Sequence, residues 1–312
     1  MPGTREKWVE ITILTPPELV DALSNFMEEL GADGVFQEAE HIPDESGFNG
    51  PAISSKEKIK SYLPWSHGIK EQTARIEVYI DSLSSIFPRL EKPRLSTKTI
   101  VDPDWAEEWK KHFKPLRVSN NIVIKPTWER YSPAGRDIVI DIDPGMAFGT
   151  GQHASTAMCI MAIEDILLKD RFREERDILD VGTGTGILAI CTAKLGAGRV
   201  TGIDTDPKAV EIAGKNVVIN EVGDRVEIIN RDIALCRGSF DLIVANLISG
   251  ALIKLHSHLI SLTKPGGHII ASGITEHDAK DVEKIFCNGE TVLHDTRSEK
   301  EWVCYTFKKA GR

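Results

Sequence analysis

The stretch Asp180–Ala189, which reads DVGTGTGILA, constrains the fold more than any other part of this chain. A short apolar segment, Ile178-Leu179, precedes it, and from Ile187 onward the apolar residues recur at helical spacing. A strand, a glycine-rich turn and a helix in this order are typical of the carboxyl edge of a parallel α/β sheet. Because glycine leaves the backbone bare, a ligand can lie directly against such a turn. The stretch therefore predicts a ligand site, with Asp180 at the end of its strand.

Two classes of ligand fit this turn. Gly184, Gly186 and Ala189 satisfy the dinucleotide pattern G-x-G-x-x-A, and Asp204 lies near the spacing of a ribose-binding acid, which would indicate an NAD(P)-dependent oxidoreductase. With Asp180 and Gly182 included, the stretch becomes D-x-G-x-G-x-G and resembles the first motif of class I S-adenosylmethionine-dependent methyltransferases. An anionic Asp180 would repel a diphosphate and attract a sulfonium and an ammonium, so we favour the methyl donor.

The rest of the carboxyl-terminal region alternates between strand and helix patterns. Four further apolar strands are predicted, at 199–204, 225–229, 240–245 and 267–272. Two final strands, at 290–295 and 301–307, have no helix between them and predict an antiparallel terminal hairpin. This pattern predicts a doubly wound α/β sheet of the class I methyltransferase type, since dehydrogenase cofactor domains keep their last strands parallel.

The amino-terminal region predicts a smaller α+β domain. Strands are expected at 7–14, 34–38, 73–80 and 97–101, and helices at 17–30 and 83–90. This is the order of a split βαβ, ferredoxin-like domain, which we interpret as a recognition module at residues 1–101. In residues 102–115, Trp105, Trp109 and Phe113 form an aromatic stripe at helical spacing. We interpret that segment as a linker helix, followed by a catalytic domain at 116–312.

The start of the catalytic domain predicts a hairpin and a flexible loop. The alternating segments 121–125 and 137–141 are the expected hairpin strands. The sequence DPGMAFGTGQHAST then places three glycines around one aromatic residue, Phe148, ahead of a helix. Such a loop can fold over a small ligand. His153 is interpreted as a helix-start residue, because a lone histidine does not form a metal site.

Polar residues follow the predicted strands where ligands bind in such sheets. Asp204, at the end of the second strand, can accept hydrogen bonds from both ribose hydroxyls, while Asp206 is the better helix cap. Asp232, after the third strand, is placed either to hold an adenine amino group or to cap a turn. Asn246 follows the fourth strand, where amino-group methyltransferases often carry Asn/Asp-Pro-Pro-aromatic. Here the sequence is Asn-Leu-Ile-Ser, and no aromatic residue follows to stack on a flipped base.

Charge and cysteine content exclude several classes of protein. The net charge of −9 argues against binding DNA, and no apolar run predicts a membrane span. The five cysteines form no C-x-x-C pair, so we expect no structural zinc or other metal, and a reducing, cytoplasmic location.

The segments DPGMAFGTGQHAST, DVGTGTGILAI, GIDTDP and ANLISGAL together resemble the bacterial ribosomal-protein lysine methyltransferase family of the PrmA type. The likeness spans roughly residues 100 to 312. It implies an enzyme that trimethylates several lysine side chains and the α-amino group of a basic large-subunit ribosomal protein, protein L-eleven. We expect the enzyme to be a monomer. It also implies that S-adenosylmethionine contacts Thr156, Gly182, Asp204 and Asn246, under the Phe148 loop.

The resemblance and the sequence motifs together give the expected site. Asn246 is the expected catalytic residue, and the expected cofactor-binding residues are Thr156, Gly182, Asp204, Asn246, Asp180, Gly184, Phe148 and Asp232. Three alternatives stay open: a lysine methyltransferase acting on another protein, an NAD(P)-dependent oxidoreductase, and a non-catalytic module that binds S-adenosylmethionine.

Overall fold

The computed structural model describes residues 8–30, 32–39, 57–65, 68–100, 114–143, 153–169 and 176–311. The chain divides into two compact units, Met1–His112 and Phe113–Arg312. Most of the expected linker helix, residues 102–113, lies outside the described residues, as does the loop at 144–152. Within the described ranges, no helix has the length and apolar character needed to cross a bilayer.

The first unit is a four-stranded antiparallel sheet with two helices. Its elements are β1 (Trp8–Thr15), a 3₁₀ turn (Pro17–Leu19), α1 (Val20–Glu29), β2 (Asp33–Ala39), β3 (Glu57–Pro64), α2 (Ile69–Ile86) and β4 (Arg94–Ile100). The strand order is β2-β3-β1-β4, with every neighbouring pair antiparallel. Alternate residues of β1 are buried, and Val9, Ile11 and Ile13 pack in one core with side chains of both helices.

The strand predicted at 73–80 is wrong, because that segment lies within the helix α2. Ile76 and Ile80 are buried one helical turn apart, while Val78 between them is 68% exposed. An alternation of apolar residues over one turn cannot separate a strand from a helix when the i and i+4 positions are both apolar. The third strand of the unit is β3, which the sequence patterns did not predict. The element order strand–helix–strand–strand–helix–strand is nevertheless observed, with the second helix at Ile69–Ile86 and not at the predicted 83–90.

The second unit begins with a small three-stranded sheet. It contains β5 (Leu116–Arg117), β6 (Ile122–Lys125) and β7 (Ile138–Asp141), in that order. The predicted hairpin between the last two is wrong: β6 pairs antiparallel with β5 and parallel with β7. Asp137 holds the connection folded back, since its Oδ2 accepts hydrogen bonds from Arg117 at 2.8 Å and from the Tyr131 hydroxyl at 2.6 Å.

A seven-stranded sheet dominates the second unit and has the predicted doubly wound arrangement of a class I methyltransferase. Its order is β10-β9-β8-β11-β12-β14-β13. The first five of these strands are parallel, and β14 runs antiparallel to both of its neighbours, which forms the expected terminal hairpin. The strands are β8 (Asp177–Val181), β9 (Arg199–Asp204), β10 (Val226–Asn230), β11 (Phe240–Asn246), β12 (Thr263–Thr275), β13 (Thr291–Glu299) and β14 (Trp302–Lys309). The helices are α3 (Ala154–Lys169), α4 (Ile187–Lys194), α5 (Pro207–Ile219), α6 (Ser249–Leu262) and α7 (Ala279–Phe286).

Helices cover both faces of this sheet. Along β11, Leu242 and Val244 belong to one core with side chains of α3, α4 and α5, whereas Ile243 and Ala245 belong to the other core with α6 and α7. Strands buried on both faces read as continuous apolar runs, as this one does. In open sheets of this kind, ligands bind at the carboxyl edge of the parallel strands.

Candidate active site

The glycine turn after β8 needs glycine for conformation and for space. Gly182 and Gly186 have positive φ angles of 70° and 80°, which side chains disfavour. A Cβ on Gly182 would lie 2.6 Å from Cδ2 of Leu247, and one on Gly186 would lie 3.1 Å from Cβ of Ala213. The turn is therefore packed between the middle of α5 and the segment after β11.

Several N–H groups of the turn are already used within the protein. Those of Gly182 and Thr183 both donate to the carbonyl of Ile203 at 2.9 Å, and that of Gly186 donates to the carbonyl of Thr183 at 2.8 Å. The N–H of Gly184 donates to Oδ2 of Asp204 at 3.0 Å. These bonds fasten the turn to the end of β9 and leave these four donors engaged, which disfavours binding of a pyrophosphate.

Asp180 is buried under the turn, with 1% of its surface exposed. Its Oδ2 accepts hydrogen bonds from the Thr183 hydroxyl at 2.6 Å and from the N–H of Ala189, in the first turn of α4, at 3.1 Å. Burial raises the pKa of this carboxyl to about 6, although both hydrogen bonds oppose the rise. The helix N-terminus, where a dinucleotide would place its phosphates, is thus occupied by the protein's own side chain. The other carboxylate oxygen of Asp180, Oδ1, is buried without a hydrogen bond.

Asp204 lies at the end of β9, beside the turn, and is half-buried. Its Oδ1 accepts the N–H of Asp206 at 3.0 Å, and its Oδ2 accepts the N–H of Gly184. Asp206 caps α5, as the sequence predicts, by accepting the N–H of Lys208 at 2.9 Å. The two backbone bonds orient the Asp204 carboxylate and leave each oxygen with further acceptor capacity.

Asp232 follows β10 and is exposed. Its Oδ1 accepts the N–H of Ala234 at 2.9 Å and caps a 3₁₀ turn, Ile233–Leu235. The turn-capping role that the sequence left open is therefore observed, and a contact of Asp232 with an adenine stays a prediction.

Asn246 ends β11 and connects to the start of α3. Its Nδ2 donates to the hydroxyl of Thr156 at 3.3 Å, and Thr156 is 1% exposed. Ser272 donates from its hydroxyl to the carbonyl of Ser155 at 3.1 Å, which holds the same helix start. With its N–H₂ turned toward Thr156, Asn246 keeps Oδ1 as an acceptor at the carboxyl edge.

The structure joins the predicted site residues into two groups. Asp180, Gly182, Gly184 and Asp204 form one group around the turn. Thr156 and Asn246 form the second, and the side chain of Leu247, packed against Gly182, connects the two. Phe148 lies outside the described residues.

His153 has the helix-start role that the sequence predicts. Its Nδ1 accepts the N–H of Ser155 at 3.3 Å, and its ring packs edge-on against Trp302 at 4.7 Å. Burial lowers the pKa of His153, which favours the neutral ring.

Asn216, in α5, is a structural residue of the site that the sequence patterns missed. It is fully buried, and its Nδ2 donates to the carbonyl of Thr185 at 2.9 Å. Its Oδ1 accepts the N–H of Asp143 at 3.0 Å, so one amide ties the glycine turn to the chain ahead of α3. The available signal was a polar residue on the buried face of a helix, next to Ala213 and Val217 in the helical pattern.

The profile of the family described as ribosomal protein L11 methyltransferase (PrmA) matches residues 7–310, nearly the whole chain. The chain belongs to this family. The match includes both units of the PrmA-type chain, whereas the motifs of the sequence covered roughly the second unit alone.

Individual relatives agree with this assignment. The chain is 36% identical over 306 residues to a ribosomal protein L11 methyltransferase of Pelobacter propionicus, covering 98% of this chain and 99% of the relative. It is 37% identical over 307 residues to the corresponding protein of Geobacter sulfurreducens, with 98% and 99% coverage. Among solved structures, a ribosomal protein L11 methylase from Lactobacillus delbrueckii subsp. bulgaricus superposes with a TM-score of 0.58 at 30% identity, covering 64% of this chain and 100% of the other.

Proposed function

We propose that this chain transfers methyl groups from S-adenosylmethionine to lysine side chains, and to the α-amino group, of ribosomal protein L11. The observation that supports this most directly is the position of Asn246 beside the glycine turn, with Leu247 packed on Gly182. A cofactor lying on the turn and an amine held by Asn246 would then be neighbours. The name of the family and the names of its relatives supply the substrate.

The residues around the turn fit the methyl donor better than a dinucleotide. The buried, unpaired Oδ1 of Asp180 is an acceptor for a cationic group, and the Asp204 carboxylate can receive the two ribose hydroxyls. Gly184 brings bare backbone next to the Asp204 carboxylate, where the ribose of the nucleoside would lie. We further propose that Thr156, Phe148 and Asp232 contact the cofactor, Asp232 through the adenine.

Asn246 is the proposed catalytic residue. When bound, S-adenosylmethionine would supply a methyl group whose bond to the sulfonium breaks as the bond to the amine forms, leaving a neutral thioether. Oδ1 of Asn246 accepts an N–H of the amine and thereby directs its lone pair toward the methyl group. A free lysine has a pKa of about 10.4, so its ammonium must lose a proton to give the reactive neutral amine, and we assign that proton to solvent. Alignment then contributes most of the rate.

The two units have separate roles in this proposal. Residues 1–101 recognise the protein substrate, residues 102–115 link the two parts, and residues 116–312 carry the chemistry. We also propose that the enzyme acts as a monomer in the cytoplasm and does not bind DNA. The acidic net charge of −9 suits a basic protein substrate better than a nucleic acid.

Incubation of the full chain with recombinant L11 and isotope-labelled S-adenosylmethionine tests the proposal. Mass spectrometry should find labelled methyl groups on lysines and on the α-amino group of L11. Cofactor binding without any transfer to L11 would indicate another substrate or a non-catalytic module. Calorimetric binding of NAD together with no binding of S-adenosylmethionine would indicate the oxidoreductase instead.

A further inference from the structure

Ile248 is an exposed apolar side chain next to the proposed acceptor site. It lies two residues after Asn246, and 69% of its surface is exposed. Single exposed aliphatic residues are common on proteins, so exposure alone carries little weight. The position of Ile248 at the carboxyl edge of the sheet makes it relevant to the reaction.

Ile248 also occupies a position where isoleucine is unfavourable. It is the N-cap of α6, and its side chain makes no capping hydrogen bond. Serine, threonine, aspartate and asparagine are preferred there because their oxygens accept an N–H of the first turn. A residue that breaks a local preference without a visible structural gain is a candidate for function.

The backbone around Ile248 is held on both sides. The N–H of Leu247 donates to the carbonyl of Ser272 at 3.0 Å. The carbonyl of Ile248 accepts the N–H groups of Ala251 at 3.0 Å and of Leu252 at 3.1 Å. The side chain of Ile248 therefore projects toward solvent from a fixed backbone beside Asn246.

We propose that Ile248 determines acceptor specificity by forming an apolar wall against the methylene stem of the target lysine. This inference rests on the proposed function and adds a residue to it. A lysine has a four-carbon stem that gains from apolar contact while its amine reaches a polar group. Asn246 would orient the amine, and Ile248 would hold the stem that leads to it. An α-amino group has no such stem and should not need the wall.

The test uses the full chain and recombinant L11, which offers both kinds of amine in one substrate. Ile248→Ser removes the apolar wall and introduces a preferred N-cap residue, so we expect the variant to fold with an unchanged or higher melting temperature. Lysine methylation should fall about tenfold relative to α-amino methylation, equivalent to about 1.4 kcal/mol. Ile248→Leu, which conserves volume, should stay within about twofold of the unmodified enzyme.

Val218→Ala is the matched control. Val218 is 74% exposed and lies near the end of α5, away from the carboxyl edge, so the variant should retain the ratio of lysine to α-amino methylation. An unchanged ratio in Ile248→Ser would overturn the inference, as would an equal loss at both kinds of amine. Absence of any transfer by the unmodified enzyme would instead overturn the proposed function, and this inference with it.

Discussion

The two halves of the large sheet differ in the hydrogen bonding and exposure of the side chains at their carboxyl edge. In the half formed by β8, β9 and β10, Oδ2 of Asp180 bonds to Thr183 and Ala189, and Asp204 bonds to Gly184, while Oδ1 of Asp180 has no partner. In the half that begins at β11, Asn246 keeps an acceptor oxygen and Ile248 is left exposed. In the proposed function, the first half is the cradle that holds the cofactor, and the second is an open edge that receives the acceptor.

This difference agrees with a reaction that has one donor and several acceptors. A preorganised site binds a single cofactor more tightly, because its side chains are already oriented when the ligand arrives. Lysines in different surroundings, and an α-amino group, cannot all match a closed pocket. In our proposal, an exposed edge with one amide acceptor and one apolar side chain would accommodate them with a less exact fit.

The largest expected effect comes from Asp204→Ala, in the half that forms the cradle. The change removes both proposed bonds to the ribose and strands the N–H of Gly184, so affinity for S-adenosylmethionine should fall several hundredfold, about 3–4 kcal/mol. Titration calorimetry measures the loss. Asp224→Ala, at a side chain that is 73% exposed, is the control and should bind normally. A loss below about fivefold would contradict the role of Asp204 in the cradle.

Burial of Asp180 should make the stability of the protein depend on pH. Its raised folded-state pKa means that the folded protein keeps a proton that the unfolded chain loses as the pH rises above about 4. The cofactor-free protein should therefore lose stability from Asp180 between about pH 4 and pH 6, by about 2–3 kcal/mol, and level off above that. Asp180→Asn does not titrate, so its stability relative to the unmodified protein should rise across this window.

Urea denaturation of both proteins at several pH values between 4 and 7 measures this difference. Other titrating groups are shared by the two proteins and cancel in the comparison. A constant difference across the range would mean that Asp180 is ionised equally in the folded and unfolded chains.

The sequence predicted the local features of the half with the glycine turn, but not the long-range contacts that hold it. The glycine turn, the acid at the end of β9 and the cap at Asp206 were predictable, because each depends on local backbone chemistry. Asn216 was not, since its partners Thr185 and Asp143 are distant in the chain and only the folded packing brings them together. The same holds for the hydrogen bonds from the N–H groups of Gly182 and Thr183 to the carbonyl of Ile203, which disfavour binding of a pyrophosphate.

The wrong predictions elsewhere in the fold have similar physical causes. In α2, Ile76 and Ile80 fit both periodicities, and only the exposure of Val78 separates them. In the small sheet, the pairing of β6 with β5 depends on a two-residue strand too short to show a pattern. Order and type of elements were predictable where runs were long, as in the five parallel strands of the large sheet.

Asn246→Ala tests the open half. Loss of the amide should lower turnover about tenfold or more, near 1.4–2 kcal/mol, because one oriented hydrogen bond to the amine disappears. Cofactor affinity should change by less than about threefold, since the turn and Asp204 are intact. Methyl transfer to L11 under saturating cofactor gives turnover, and calorimetry gives affinity. Asn288→Ala, at an exposed asparagine far along the chain, should change neither. Equal losses in turnover and affinity would place Asn246 in the cradle and remove the contrast between the halves.

The smallest effect should come from Asp206→Ala. This variant is informative because it should affect stability, whereas Asp204→Ala, two residues earlier, should affect cofactor affinity. Asp206 supplies Oδ1 to the N–H of Lys208 as the cap of α5, so its loss should lower the free energy of unfolding by about 1 kcal/mol. The bond that Asp206 makes to Asp204 comes from its backbone N–H, which alanine retains. Cofactor affinity should therefore stay within about twofold, and Asp206→Ser should restore the stability because serine also caps helices. Chemical denaturation and calorimetry on the three proteins separate the two quantities. A large loss of affinity in Asp206→Ala would show that the carboxylate of Asp206 itself reaches the ligand, and the cradle would then extend from β9 into the first turn of α5.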